Sequence, residues 1–372
     1  MPNEDRSCGS RAAAPIKGRG TSWTIVHRYA AHARDAFDDG WGTLEQQAAE
    51  VVVPPATQVI EQRAGSVLTA NESPDIAFDA SVNPYRGCEH GCVYCFARPT
   101  HSYLNLSPGL DFETRIVAKV NVAERLRAAL AAPRYRPSLI NVGSATDAYQ
   151  PVERRLRLTR GVVEVLAECS HAFSLVTKSS GVERDLDLIA PMASRRLVAV
   201  YVSVTTLDAA LARIMEPRAA APARRLRTIR TLADAGVPVG VSLSPVIPFV
   251  NEPEIERVLD AAAEAGARRA FAIVLRLPWE VNPLFQRWLE QHFAQRAARV
   301  MARIREMRGG RDYDARWGAR MSGEGVWAAL LRQRFDKACA RHGLAGERFE
   351  LDLSAFTPPR RGDAAQRQAS LF

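Results

Sequence analysis

From about residue 75 onward, short apolar runs rich in β-branched residues alternate with amphipathic stretches of helical period. The runs 77–83, 138–143, 172–177, 197–204, 238–243 and 270–275 read as strands. Between them, Val120–Ala131, Val152–Glu168, Asp185–Met192, Ala223–Ala235 and Glu252–Ala265 place apolar side chains at helical spacing. Ala235-Gly236 and Ala265-Gly266 each put a glycine where a helix C-cap precedes a strand. This alternation predicts an α/β fold with a parallel sheet. Six units suit a partial barrel whose strand ends carry the chemistry, although periodicity alone fits a doubly wound sheet equally well.

The flanks differ. Residues 1–20 are rich in Arg, Gly, Ala and Ser without periodicity and read as disordered, and 21–76 as a wrapping extension of the barrel, 77–277. After Pro278 the strand pattern stops. Asn282–Met307 and Gly325–His342 are helical by pattern, so 278–357 reads as a helical region that covers the barrel mouth, followed by a mobile tail, 358–372.

With 47% hydrophobic and 24% charged residues in 372, the chain has material for a sizeable core, which excludes wholesale disorder or a collagen-like fibre. No apolar run approaches the ~18 residues of a membrane span, and the richest, Val237 to Val250, is broken by prolines. The first twenty residues show no apolar signal-peptide segment, so a cytoplasmic location without membrane association is expected. The formal charge is +9, and the stretch Arg287–Arg341 concentrates thirteen basic against six acidic residues. Trp288, Tyr313, Trp317 and Trp327 lie within it. Such a stretch suits polyanion binding through counterion release and base stacking, or is simply a solvated arginine-rich helical face.

Three of the six cysteines form one group, Gly87-Cys88-Glu89-His90-Gly91-Cys92-Val93-Tyr94-Cys95, with no other cysteine within 70 residues on either side. Three thiolates on a short loop hold three irons of a cubane and leave the fourth open to an outside ligand. The alternative is a zinc site completed by His90 or His101, against which the C-x3-C spacing stands. Cys169 and Cys339 read as small buried hydrophobes.

The C-x3-C-x2-C group with Tyr94 just before its last cysteine resembles the radical S-adenosylmethionine (AdoMet) superfamily. The longer strings NPYRGCEHGCVYCFARPTH and SPGLDFETRI are similar to its DNA repair photolyase-like branch, related to spore photoproduct lyase. The resemblance runs from about Ser73 to Ala267 and favours the partial (β/α)6 barrel. It implies a [4Fe–4S] cluster on Cys88, Cys92 and Cys95, with AdoMet chelated to the open iron. Reductive cleavage then gives a 5′-deoxyadenosyl radical that removes hydrogen from a substrate, with a flavodoxin or ferredoxin-type reductant as partner.

The resemblance also assigns roles at the strand ends. Beside Tyr94, the stretch after the second strand offers Ser144, Thr146 and Asp147 to the amino group of AdoMet, or serves only as the N-terminal turn of the next helix. Lys178, at the end of the third strand, is a ligand for carboxylate, phosphate or substrate, or points to solvent. Ser203 and Thr205 on the fourth face the cofactor. Arg218 pairs with its carboxylate, or with Glu216 as a surface ion pair. Pro245-Val246-Ile247-Pro248 is an adenine shelf or barrel core.

Three functions stay open: a radical enzyme acting on a nucleic-acid lesion, the same chemistry on a small molecule or peptide, and a non-catalytic iron–sulfur or zinc protein that binds nucleic acid. The first meets a departure from the family pattern, since no cysteine lies between Cys95 and Cys169 to return hydrogen to the product. The terminal Gln368-Ala369-Ser370-Leu371-Phe372 is similar to the peptide by which bacterial repair and replication proteins dock on the DNA sliding clamp.

Overall fold

The strands pair in the order in which the chain makes them. A computed structural model describes residues 16–30, 55–344 and 348–359. Strands β3 (Ala80–Val82), β6 (Ile140–Val142), β7 (Phe173–Thr177), β8 (Val198–Ser203), β9 (Val239–Val246) and β10 (Arg269–Val274) form a parallel sheet in that sequence. A doubly wound sheet reverses direction at a switch point, whereas this order is that of a barrel left open between its first and last strands. The order therefore decides what periodicity left open. β8 and β9 are buried along nearly their whole length, which is why β8 reads as a continuous apolar run and β9 carries only small residues between its apolar ones.

Four short strands escaped the pattern. β2 (Leu68–Ala70) adds an antiparallel edge to β3. β1 (Gln58–Gln62) pairs with β5 (Arg115–Lys119), which also pairs with β4 (Tyr85–Arg86), making a three-stranded side sheet. β1 and β2 are mostly exposed, so polar residues obscure their periodicity. The expected helix Val152–Glu168 is two, Glu153–Leu156 and Leu158–Glu168, hinged at Arg157 with φ +52°. Its cause is the buried Glu153 carboxylate, which accepts from Thr159 and Arg160 N–H at 3.0 and 3.3 Å at the start of the second helix.

Beyond β10 the chain is helical, with Val281–Glu306 kinked at Phe293 and Gly325–Arg341 packed beside it. Many of the basic residues here are used internally. Arg305 pairs with Asp312 at 2.7 Å, Arg320 with Asp75 at 2.6 Å, Arg316 with Asp314 at 2.6 Å and Arg334 with Glu256 at 2.8 Å. Trp288 is core, its indole N–H donating to the Ile214 carbonyl at 3.0 Å. Among the described residues no helix is long and apolar enough to cross a membrane. The clamp-like peptide Gln368–Phe372, most of the tail, Cys8 and part of the expected extension lie outside the described residues.

Candidate active site

The three cysteines occupy one loop between β4 and a 3-10 turn, Arg98–Leu104. Two glycines let it turn. Gly87 and Gly91 have φ of +82° and +67°. A Cβ on Gly87 would meet the Phe112 carbonyl at 2.9 Å, and one on Gly91 the Glu113 carboxylate at 2.6 Å.

A buried arginine braces the loop from behind. Arg98 donates to the carbonyls of Cys92 (2.9 Å), Gly91 (3.1 Å), Pro108 (3.1 Å) and Gly109 (2.9 Å), and to the Glu113 carboxylate at 2.5 Å. Both side chains are fully buried. Glu113 also accepts from the Gly20 N–H at 2.8 Å, while Arg19 donates to the Glu113 carbonyl at 3.0 Å. Residues 19–28 thus form a strap across the back of the loop, fastened further on by Trp23 O to Leu110 N–H (3.2 Å) and Arg28 to Glu280 (2.8 Å). Gly20 passes so close that a Cβ there would lie 1.6 Å from the Gly91 carbonyl oxygen.

Cys88 and Cys92 are buried and Cys95 is partly exposed. Burial pushes the Cys88 thiol well above its usual range, with Asp147 and the other two sulfurs adding to the rise. Cys92 is pushed up to about 12 by burial, the Lys178 charge opposing and Glu216 and Cys95 reinforcing it. Three sulfurs within each other's field disfavour joint ionisation until a cation takes the place of their protons. Among the described residues no group of three or more His, Cys, Asp or Glu side chains converges as ligands of a single ion do. In a cubane each thiolate binds a different iron, so convergence on one point is not required of this set. His101 Nε2 lies 3.0 Å from the Arg115 carbonyl, and its ring packs edge-on against Phe112. His90 Nδ1 lies 3.3 Å from Asp147 Oδ2.

Around this loop the strand ends form two buried carboxylate networks. In the first, Asp147 accepts from the Thr177 hydroxyl (2.8 Å) and from the N–H groups of Lys178 (2.7 Å) and Tyr149 (2.9 Å). Burial opposes its ionisation, but His90 and these donors hold it down to about 2. Thr146 donates to the Gly87 carbonyl at 2.7 Å and receives the Gln150 amide at 2.9 Å. Ser144 accepts from the Asn83 amide at 3.1 Å. Thr146 and Asp147 are therefore tied to the cysteine loop and to β7 respectively.

The second network centres on Glu216. It accepts from the Tyr94 and Thr205 hydroxyls, the latter at 2.7 Å, and from the Arg225 guanidinium. Burial would raise it; the Arg225 and Lys178 charges and the two hydroxyls hold it down to about 2. Arg225 also donates to the Ser203 carbonyl at 3.1 Å, and the Ser203 side chain is buried. Lys178 stands between the networks, its ammonium 5.8 Å from the Tyr94 ring centroid and in no hydrogen bond among the described residues, while its backbone N–H is held by Asp147. Desolvation lowers its proton affinity, but Cys92 and Glu216 outweigh that and raise it.

Arg218 is placed differently from the expected cofactor residues around it. Its guanidinium lies 3.2 Å from Glu89 and 3.3 Å from the Thr57 hydroxyl. Glu216 is no surface partner for it, being fully buried on Arg225. Val246 and Ile247 are buried among core residues, Ile247 in the apolar cluster that also contains Cys92 and Tyr94. Arg98, Glu113, Gln150 and Arg225 are parts of this site that sequence reasoning did not single out. Arg98 and Glu113 lie inside the two strings that carried the family resemblance, as opposite charges in otherwise mostly uncharged segments.

Comparison with known proteins agrees with this geometry. The family model of the Radical SAM superfamily matches residues 82–262. An uncharacterized protein of Mycobacterium tuberculosis is 35% identical over 282 residues, 74% of this chain and 79% of that one. An uncharacterized protein of Methanocaldococcus jannaschii is 27% identical over 173 residues, 46% of this chain and 62% of that one. Spore photoproduct lyase complexed with dinucleoside spore photoproduct is similar in fold, with TM-score 0.56 and 14% identity over 79% of this chain and 85% of that one. A variant of that enzyme with bound AdoMet and dinucleoside spore photoproduct gives TM-score 0.55 at 15% identity, again over 79% and 85%. The chain belongs to the radical SAM superfamily, is an enzyme that uses a [4Fe–4S] cluster and AdoMet, and resembles spore photoproduct lyase in fold.

Proposed function

We propose that Cys88, Cys92 and Cys95 hold the cluster and that the polar groups around Lys178 hold AdoMet for hydrogen abstraction from a nucleic-acid substrate. The observation that carries the site is three thiols on one braced loop, faced by the Lys178 ammonium, which is in no ion pair among the described residues. When bound, the cluster supplies the electron that cleaves AdoMet to a 5′-deoxyadenosyl radical. The chain's own residues do the rest. Lys178 takes the AdoMet carboxylate, a role for which it is better placed than Arg218, whose guanidinium is already on Glu89. Ser144, Thr146 and Asp147 line the approach of the amino group. Tyr94, Ser203 and Thr205 form a wall fixed by Glu216 and Arg225, which keeps the site rigid and excludes water.

The nucleic-acid substrate is supported by the +9 charge and by exposed aromatic rings, Phe96, Tyr103, Trp279 and Trp317. The arginines spent in internal ion pairs favour the second reading, a small molecule or peptide. A non-catalytic role is set aside by the family. A flavodoxin or ferredoxin-type protein is the proposed electron donor, the cytoplasm the proposed location, and the sliding clamp a partner supported by the terminal peptide alone.

The test is anaerobic turnover of reconstituted, dithionite-reduced protein with damaged and undamaged DNA. Release of 5′-deoxyadenosine together with deuterium transfer from labelled DNA supports the reading. Release without transfer from any DNA would leave the enzyme and remove the substrate. Lys178→Met should raise the KM for AdoMet roughly 10- to 100-fold, the worth of one charge-assisted contact of about 1.5–3 kcal/mol, with a smaller change in kcat. An unchanged KM would remove Lys178 from the AdoMet site.

A further inference from the structure

Among the described residues, two guanidinium groups near the end of β10 have no carboxylate on either. Arg276 lies two residues past the strand, with its guanidinium carbon 5.2 Å from the centroid of the Phe96 ring, and Phe96 directly follows Cys95. Its contacts are weak for a cation: Nη1 to the Met321 sulfur at 3.7 Å and Nη2 to the Tyr313 hydroxyl at 3.5 Å. Its Nε is buried without a partner. Arg308 is fully buried and donates only to backbone carbonyls, of Ala319, Val274 (3.3 Å) and Leu275 (2.8 Å). Its Nε is likewise buried and unpartnered.

The two positive charges act on each other, and burial with the Arg276 charge pulls Arg308 down to about 10, with Tyr313, Asp314 and Glu324 opposing. Asp314 is itself engaged by Arg316 at 2.6 Å. Among the described residues neither Arg276 nor Arg308 is in an ion pair. Two cations brought together with unsatisfied donors form an arrangement that an incoming anion stabilises. Phe96 is 49% exposed, so the ring under the Arg276 guanidinium is open to a second planar group.

We infer that Arg276 anchors a phosphate of the substrate beside the cysteine loop, with Phe96 offering its ring to the adjoining base. Arg308 holds Arg276 from behind by fixing the backbone of residues 274 and 275, and adds its charge to the site. This rests on the nucleic-acid reading above and assigns the contact that sets the register of the strand against the cluster.

The test uses the reconstituted holoenzyme and a short fluorescein-labelled single strand, with affinity measured across a salt series. Arg276→Gln should weaken binding roughly tenfold and reduce the slope of log K against log salt by about one. Arg276→Lys should keep the slope and lose affinity, because the charge survives and the fork does not. Iron content and melting temperature identify a variant that has lost its fold, in which case the lysine variant alone decides. Tight, salt-dependent binding by the wild type that neither variant alters would overturn the anchor and leave the nucleic-acid reading standing. Absence of salt-dependent binding by the wild type would overturn both.

Discussion

Alanine at Cys88, Cys92 or Cys95 should reduce both iron–sulfide absorbance and 5′-deoxyadenosine release to background while leaving the protein folded. The loop offers three sulfurs and no spare. Cys169 and Cys339 are buried in the main apolar core with thiols pushed up by burial, to about 11 and 12, and cannot stand in. With two anchors a cubane would have two irons without protein ligands, and the site would lose the single open corner on which AdoMet binding depends. The fold should survive because the loop is fastened by backbone hydrogen bonds to Phe112, Met215 and Arg98, not by the thiols. Far-UV melting checks that half, and cluster absorbance with nucleoside release checks the other. A Cys92→Ala protein that still cleaved AdoMet would remove the assignment.

Arg98→Met should be the most damaging single change outside the cysteines. It leaves the Glu113 carboxylate buried with only the Gly20 N–H and Arg19 to answer it, and strips four carbonyls of their donor. Breaking a buried pair by removing one partner costs about 3–5 kcal/mol, a large share of the ~5–15 kcal/mol that holds a domain together. A fall in melting temperature of roughly 10 °C is expected, at about 2–4 °C per kcal/mol for a domain of this size. Iron should be lost to chelators faster as well. Arg98→Lys should rescue little, since one ammonium cannot span five acceptors spread over two loops. Adding Glu113→Gln to Arg98→Met should restore part of the stability by removing the stranded charge. A single variant as stable as the wild type would show that the brace is not what holds the loop.

The barrel strands and the cysteine loop were legible because each is a local pattern: apolar runs of the right length, and three thiols within eight residues. The side sheet was not. β1 lies across from β5 at a separation of fifty-seven positions, Gln58 against Arg115, and both its faces carry polar residues. The buried groups that fix Tyr94 and Thr205 were hidden for a similar reason. Nothing local joins Glu216 to Tyr94, 122 positions away, or tells Arg225 from the other arginines of its helix; only the fold puts one of them under the site. Asp147 and Thr146 lie at a strand end near the loop, and their side chains spend hydrogen bonds on β7 and Gly87, which periodicity cannot show. Arg218 was chosen for its charge and position, and it is Glu89, inside the cysteine motif itself, that it answers.

The strap has a thermodynamic corollary. Gly20 donates to the same carboxylate that Arg98 grips, ninety-three positions downstream, and there is no room for a methyl group where it passes Gly91. On the proposed cluster assignment, metal uptake and strap docking share one turn, and linkage makes their influence mutual: whatever factor the docked strap adds to iron affinity, bound iron returns to strap affinity. Cleavage near Arg19 should therefore be slower in the iron-loaded protein than in the iron-free protein, as limited proteolysis of the two forms checks.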